Sequence, residues 1–192
     1  MSTRTGDTGY TSLLGSERVR KDDRRIEALG DLDEATSAIG VARSRSSGWL
    51  SDLLKAMQVD LYLLMAEVAA GAVAERVLAT RIGVEQVARL DVTLAELRER
   101  AALKPEFVIP GDSPLGASLD VARAVARRSE RRVAGLAHAG LVVNESVLEY
   151  LNRLSDVLFV AARLADSEAN DGSEAATGQP RGRSGIDTCD SD

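Results

Sequence analysis

Five apolar runs at helical spacing, parted by short polar breaks, predict an all-α protein built as a five-helix bundle of the left-handed up-down type. Composition supports this. Of 192 residues, 44% are apolar but only 3% aromatic, so the core must be Leu, Val, Ile and Ala packed between helices. No convincing alternating strand and no internal repeat stand out. The length suits one domain with room for a sizeable core.

The elements follow in order. Residues 1–20 form a polar, Gly-rich lead-in. Asp22 or Asp23 caps a first helix running to about Ser44, with Ile26, Leu29, Leu32, Ala35, Ile39 and Ala42 on one side. Ser46-Ser47-Gly48 breaks the chain. A second helix is predicted from Trp49 to Ala79, and its apolar stretch Leu61-Tyr62-Leu63-Leu64-Met65 implies burial on more than one side. A third spans Val84 to Leu103, stopped by Lys104-Pro105. After a connector, Asp112 or Ser113 caps the fourth and Pro114 suits its first turn. Leu115, Leu119, Ala122, Ala126, Ser129, Val133 and Leu136 form its core stripe, and Gly140 stops it. Asn144 caps the fifth, whose core stripe is Val147, Leu151, Leu154, Leu158, Ala161 and Ala165.

Charge and cysteine usage exclude several classes. The net charge is −6, and residues 166–192 hold seven acids against two arginines, so the remainder is near neutral. With four Gly, four Ser and no Leu, Val or Phe in that stretch, the tail beyond about Asn170 is expected to be disordered. No broad basic face interleaved with aromatics suggests a nucleic-acid groove. No run approaches a membrane span, and the polar start MSTRTGDTG has no signal-peptide core. The single Cys189 can make no internal disulfide. A cytoplasmic protein is the simplest expectation.

Chemistry has four candidate locations. The first is TRTGDTGYTS, residues 3–12, whose glycines and hydroxyls suit phosphate oxygens, although a plain flexible loop explains them too. Lys21 follows it as an isolated cation. The second is the run Arg123, Arg127, Arg128, Glu130, Arg131 and Arg132, five guanidiniums within ten residues. Such a row is repulsive unless neighbouring carboxylates or a polyphosphate sit against it. The third is Asn152, Arg153, Ser155 and Asp156, beside the apolar seam, which helix–helix hydrogen bonding explains about as well as a ligand does. The fourth is Phe107, either a pocket wall or a core plug. His138 is the only histidine, and no paired-His or CxxC constellation exists, so no metal ligand is assigned.

In this order the segments TRTGDTGYTSLLGSERVRKDDRRIEALGDLDE (3–34), FVIPGDSPLGASLDVARAVARRSERRV (107–133) and YLNRLSDVLFVAAR (150–163) resemble the PduO-type corrinoid adenosyltransferases, the ATP:cob(I)alamin adenosyltransferases. The resemblance spans nearly all of residues 3–165. It implies a homotrimer of five-helix subunits, with active sites between subunits. The reaction would move the 5′-deoxyadenosyl group of ATP to the cobalt of cob(I)alamin, giving adenosylcobalamin and triphosphate. Residues 1–20 would be a nucleotide-binding loop, 21–169 the adenosyltransferase bundle and 170–192 the acidic tail.

By that likeness Thr3, Arg4, Thr5, Gly6, Thr11, Ser12 and Lys21 would hold ATP, with Arg127, Arg128, Glu130, Arg131 and Asn152. Arg127, Arg131, Asn152 and Phe107 would serve the chemistry. Asp33 and Arg123 would pair across the subunit boundary. Phe107 would press on the lower corrin face and keep the lower axial ligand off. Mg²⁺ would accompany the nucleotide, and no histidine would ligate cobalt. Adenosylcobalamin would pass to an enzyme that depends on it.

Several positions depart from the family pattern. Ser2 stands where Tyr is usual, so a strand-like lead-in is expected to be missing. Asp33-Glu34-Ala35-Thr36 replaces Asp-Glu-Leu-Asn. Asp112 stands for a second Gly, Asp120 for His, Ala126 for Cys and Ser129 for Ala. Asp112 and the short lead-in motivate a second reading, a catalytically weak adenosylcobalamin carrier or nucleotide-sensing bundle.

Overall fold

The computed structural model describes residues 6–14, 17–101 and 107–177. Its helices are α1 (Arg24–Arg43), α2 (Gly48–Ala70), the single turn α3 (Ala74–Val77), α4 (Val84–Ala101), α5 (Pro114–His138) and α6 (Glu145–Thr177). Five are long, and these are the five helices the spacing predicts. Caps act where the sequence places them. Asp23 accepts from the Arg25 N–H, Ser113 rather than Asp112 from the Gly116 N–H, and Asn144 from the Ser146 N–H.

Helix α5 packs against both α1 and α6, while α4 packs against α6 and α2 against α1. The α1–α5 pair is antiparallel: Arg132 meets Glu27 at one end, and Arg45 donates to Ser118 at the other. Leu54, Leu61 and Leu64 of α2, Leu119 and Val133 of α5, and Leu151, Leu154 and Leu158 of α6 are buried in one core. Each such side chain contributes about 1.5–3 kcal/mol.

Four expectations need correcting. Residues 10–20 hold a small antiparallel hairpin, with β1 (Tyr10–Ser12) paired to β2 (Arg18–Arg20) through Thr11 opposite Val19. Three-residue strands are too short for alternation to register in the sequence. The second helix stops at Ala70 instead of Ala79. Gly71 takes φ +57°, and its N–H caps the Glu67 carbonyl, turning the chain into a 3-10 turn and α3. Burial of α2 is one-sided around Leu61 and Leu64, for Tyr62 is exposed and Leu63 and Met65 half-buried. Helix α6 continues past Asn170 to Thr177, because Ala169, Glu174, Ala175 and Ala176 favour helix and no proline intervenes. The rest of the tail, with Cys189, lies outside the described residues.

Buried polar groups tie the core elements. Asp60 of α2 accepts from Tyr150 Oη–H of α6 at 2.9 Å and pairs with Arg89 of α4. Burial and the adjacent carboxylate push the Tyr150 hydroxyl pKa well above its usual range. Glu67 accepts from the Ile82 N–H and from Asn144 Nδ2–H, joining α2 to the start of α6. Leu64→Ala is expected to cost about 3 kcal/mol in urea unfolding, against a change within about 0.5 kcal/mol for exposed Val59→Ala.

Candidate active site

The hairpin folds the predicted phosphate loop onto Lys21. The Lys21 N–H donates to the Gly9 carbonyl at 2.9 Å, and Gly9 itself takes φ +79°. A Cβ placed on Gly6 would lie 3.2 Å from Lys21 Nζ, so the ammonium sits close against the loop backbone and would have to shift by a few tenths of an ångström for a side chain there. Thr11 is half-buried on β1, and Ser12 is exposed. Thr3, Arg4 and Thr5 lie outside the described residues. Arg25 anchors the hairpin to α1 through a two-pronged pair with Glu17, at 2.7 and 2.8 Å. This hydrogen bonding holds the Glu17 carboxyl below its ordinary pKa and raises that of Arg25.

The arginine row of α5 divides by direction. Arg128 points at α1, where its Nε–H donates to Asp31 at 3.1 Å and a terminal nitrogen meets Glu34. Arg132 pairs with Asp31 at 3.5 Å and Glu27 at 3.8 Å. Arg123 points the other way, its Nε 3.2 Å from Asp120. Arg127 and Arg131 lie between these directions and are exposed. Arg131 donates to the Arg127 carbonyl at 2.9 Å, and Arg127 has no carboxylate partner among the described residues. Arg24, Glu27, Arg131 and Arg132 line a cleft of about 250 Å³ beside the start of α1. Lys21 ends three residues before that cleft.

Asn152 completes the same side. Its Nδ2–H donates to Glu130 at 3.3 Å, and its Oδ1 accepts from Arg153 at 3.2 Å. Glu130 and Asn152 therefore meet across α5 and α6, the helix–helix hydrogen bonding that the sequence left open beside a ligand role. Phe107 is fully exposed on the connector, which removes the core-plug alternative. Asp33 is exposed on α1 with no partner among the described residues. Sequence reasoning missed Asp31 and Glu34, and also Asp120, Arg163 and Asp166. A lone arginine inside the apolar run 157–165 was the available signal for the second group.

The model of the family described as cobalamin adenosyltransferase matches residues 1–165. The chain belongs to this family. A corrinoid adenosyltransferase of Citrobacter freundii is 39% identical over 166 residues, covering 86% of this chain and 94% of the relative. One from Mycobacterium leprae is 39% identical over 173 residues, covering 86% and 90%. Among solved structures, a variant PduO-type ATP:corrinoid adenosyltransferase of Lactobacillus reuteri, complexed with cobalamin and ATP, superposes with TM-score 0.81 at 30% identity. It covers 87% of this chain and 91% of that one. Membership of the PduO type follows from both the sequence and the fold.

The Glu17–Arg25 anchor has a signed pH dependence. A carboxyl whose folded pKa is depressed stabilises the docked hairpin above the ordinary carboxylate pKa, and this contribution fades as pH falls through the depressed value. Amide NMR shifts of Val19 and Lys21 should therefore move on acidification, and Glu17→Gln should abolish that transition.

Proposed function

We propose that this protein transfers the 5′-deoxyadenosyl group of ATP to the cobalt of a cob(I)alamin-type corrinoid, releasing triphosphate. The observation that carries this reading is the selective pairing on α5. The arginines facing α1 are neutralised by its acids, while Arg127 is left without a carboxylate among the described residues and Arg131 opens on the cleft at the start of α1. An unpaired guanidinium suits a polyanion, and so does the glycine loop that carries Lys21.

Cobalt(I) is already a strong nucleophile, so the protein need not create one. Its electron pair forms the Co–C5′ bond as the C5′–O bond breaks, and that bonding pair leaves with the triphosphate. The protein's task is alignment and stabilisation of the growing negative charge. Gly6, Thr11, Ser12 and Lys21 hold the phosphates from the hairpin side, together with Thr3, Arg4 and Thr5. Arg127 and Arg131 meet them from α5, and Asn152 with Glu130 orients the nucleoside end. Arg128 belongs to the same set by family likeness, with the further role of clamping α1 to α5.

No group of three His, Cys, Asp or Glu suited to a metal occurs among the described residues. This donor set fits Mg²⁺ carried in on phosphate oxygens and water, not caged by protein. Its chemistry there is neutralisation of leaving-group charge.

Phe107, fully exposed within one chain, has by family likeness the task of pressing on the lower corrin face and keeping the axial ligand off, which eases reduction of Co(II). The chain works as a homotrimer with sites between subunits. Arg123 uses Nε on its own Asp120, and its terminal nitrogens are left for Asp33 of a neighbouring copy. Residues 1–20 act as the nucleotide loop, 21–169 as the bundle and 170–192 as an acidic tail. No helix among the described residues is long and apolar enough to cross a membrane. The reading places the protein in the cytoplasm, handing its product to an adenosylcobalamin-dependent enzyme.

The decisive assay is formation of adenosylcobalamin from ATP, Mg²⁺, hydroxocobalamin and a strong reductant. Stoichiometric binding without triphosphate release would instead favour a carrier. Arg127→Ala and Asn152→Ala are each expected to lower kcat by about a hundredfold or more, roughly 3 kcal/mol of barrier, with helicity unchanged by circular dichroism. Asp33→Ala and Arg123→Ala should weaken the trimer in sedimentation or distort its kinetics. Unchanged assembly and rates would remove the intersubunit pair.

A further inference from the structure

A buried ionic cluster joins the end of the Phe107 connector to Arg123. Ser113 is the N-cap of α5, accepting from the Gly116 N–H at 2.9 Å, and its hydroxyl also donates to Asp166 of α6 at 2.7 Å. The other oxygen of Asp166 lies 3.0 Å from an Arg163 terminal nitrogen. That nitrogen also pairs with Asp120 of α5, whose second oxygen accepts from Arg123 Nε. The Phe159 ring lies near both guanidiniums, its centroid 5.9 Å from Arg123 and 5.7 Å from Arg163. Two arginines balance two aspartates, so the cluster is neutral. A Cβ on Gly116 would sit 2.0 Å from Asp166 Oδ1, so Asp166 reaches the serine only because position 116 has no side chain.

Stability alone does not account for this arrangement. Buried ion pairs are often no better than apolar packing, and here Arg163 Nε is buried without a hydrogen-bond acceptor among the described residues. The cluster does specify geometry. Between Phe107 and Ser113 lie only five residues, among them Pro110 and Gly111 at φ +125°, and prolines at 110 and 114 restrict the residues before them. Fixing Ser113 therefore limits where Phe107 can reach.

We propose that Ser113, Asp166 and Arg163 are positioning residues that hold the Phe107 connector for its work on the corrin and, through Asp120, hold Arg123 for the neighbouring subunit. This rests on the reading of Phe107 as the residue facing the corrin. The cluster acts on the Co(II)-to-Co(I) step and on the subunit boundary, and leaves ATP binding alone.

The test uses the full-length protein with Ser113→Ala, Asp166→Asn and Ser113→Thr. Asp60→Asn serves as a control that damages a comparable buried pair elsewhere, and Phe107→Ala as the reference. Adenosylation is followed from Co(II) with reductant and separately from pre-reduced Co(I). Ser113→Ala and Asp166→Asn should slow the Co(II) reaction about tenfold and the Co(I) reaction less than about threefold, with the KM for ATP within about twofold. Ser113→Thr, which keeps the hydroxyl, should recover most of the Co(II) rate. Hydrogen exchange at Ala117, whose N–H donates to the Ser113 carbonyl at 2.8 Å, should quicken in both damaging variants and not in Asp60→Asn.

Equal slowing in both assays, or exchange no faster than in the control, overturns the proposal. A split in Phe107→Ala without one in the cluster variants overturns it as well. A split in the cluster variants without one in Phe107→Ala would refute the role given to the phenyl ring, and with it this proposal, while adenosylation itself would still support the proposed function. Should Asp166→Asn fail to fold, Ser113→Ala alone decides, because it deletes a single oxygen.

Discussion

Five guanidiniums on three turns of one helix repel each other, and the fold is arranged around that repulsion. Helix α5 lies between α1 and α6, and each neighbour answers part of the charge. Glu27, Asp31 and Glu34 of α1 take Arg128 and Arg132. Asp120, itself tied to Arg163 of α6, takes Arg123. What stays without a carboxylate among the described residues, at Arg127 and Arg131, is the cationic surface proposed to meet the triphosphate. Packing thus decides which arginines are neutralised within the chain.

Buried charge elsewhere follows the same logic at a desolvation cost. Asp60 is held by both Arg89 and Tyr150, and Glu67 by Asn144 and the Ile82 amide. These carboxylates carry two partners each, as removal from water demands. They join α2 to α4 and α6.

Most helices were legible because their apolar positions repeat at three and four residues and because Asp23, Ser113 and Asn144 are strong caps. The hairpin was not, since three-residue strands carry no usable period. The end of α2 was misplaced because Ala-rich sequence keeps reading as helix, and only the left-handed backbone at Gly71 ends it. Among the site residues, the arginine row, Lys21, Asn152 and Phe107 were visible as residue types in unusual places. The partners Asp31 and Glu34 of Arg128 were not, because an acid on a helix looks the same whether it faces solvent or a guanidinium on the neighbouring helix.

Local chemistry by itself decided the helical class, the caps, the core stripes and the family to which the chain belongs, since each depends on residues close in sequence or on ordered motifs. Tertiary structure decided which arginines are neutralised, that Lys21 settles against Gly6, and that Asp166 reaches Ser113 over a glycine. Those outcomes depend on which faces of α1, α5 and α6 meet. Electrostatic pairing between helices acts through space, and apart from the Asp120–Arg123 and Arg163–Asp166 pairs at i, i+3 no spacing within one helix encodes it.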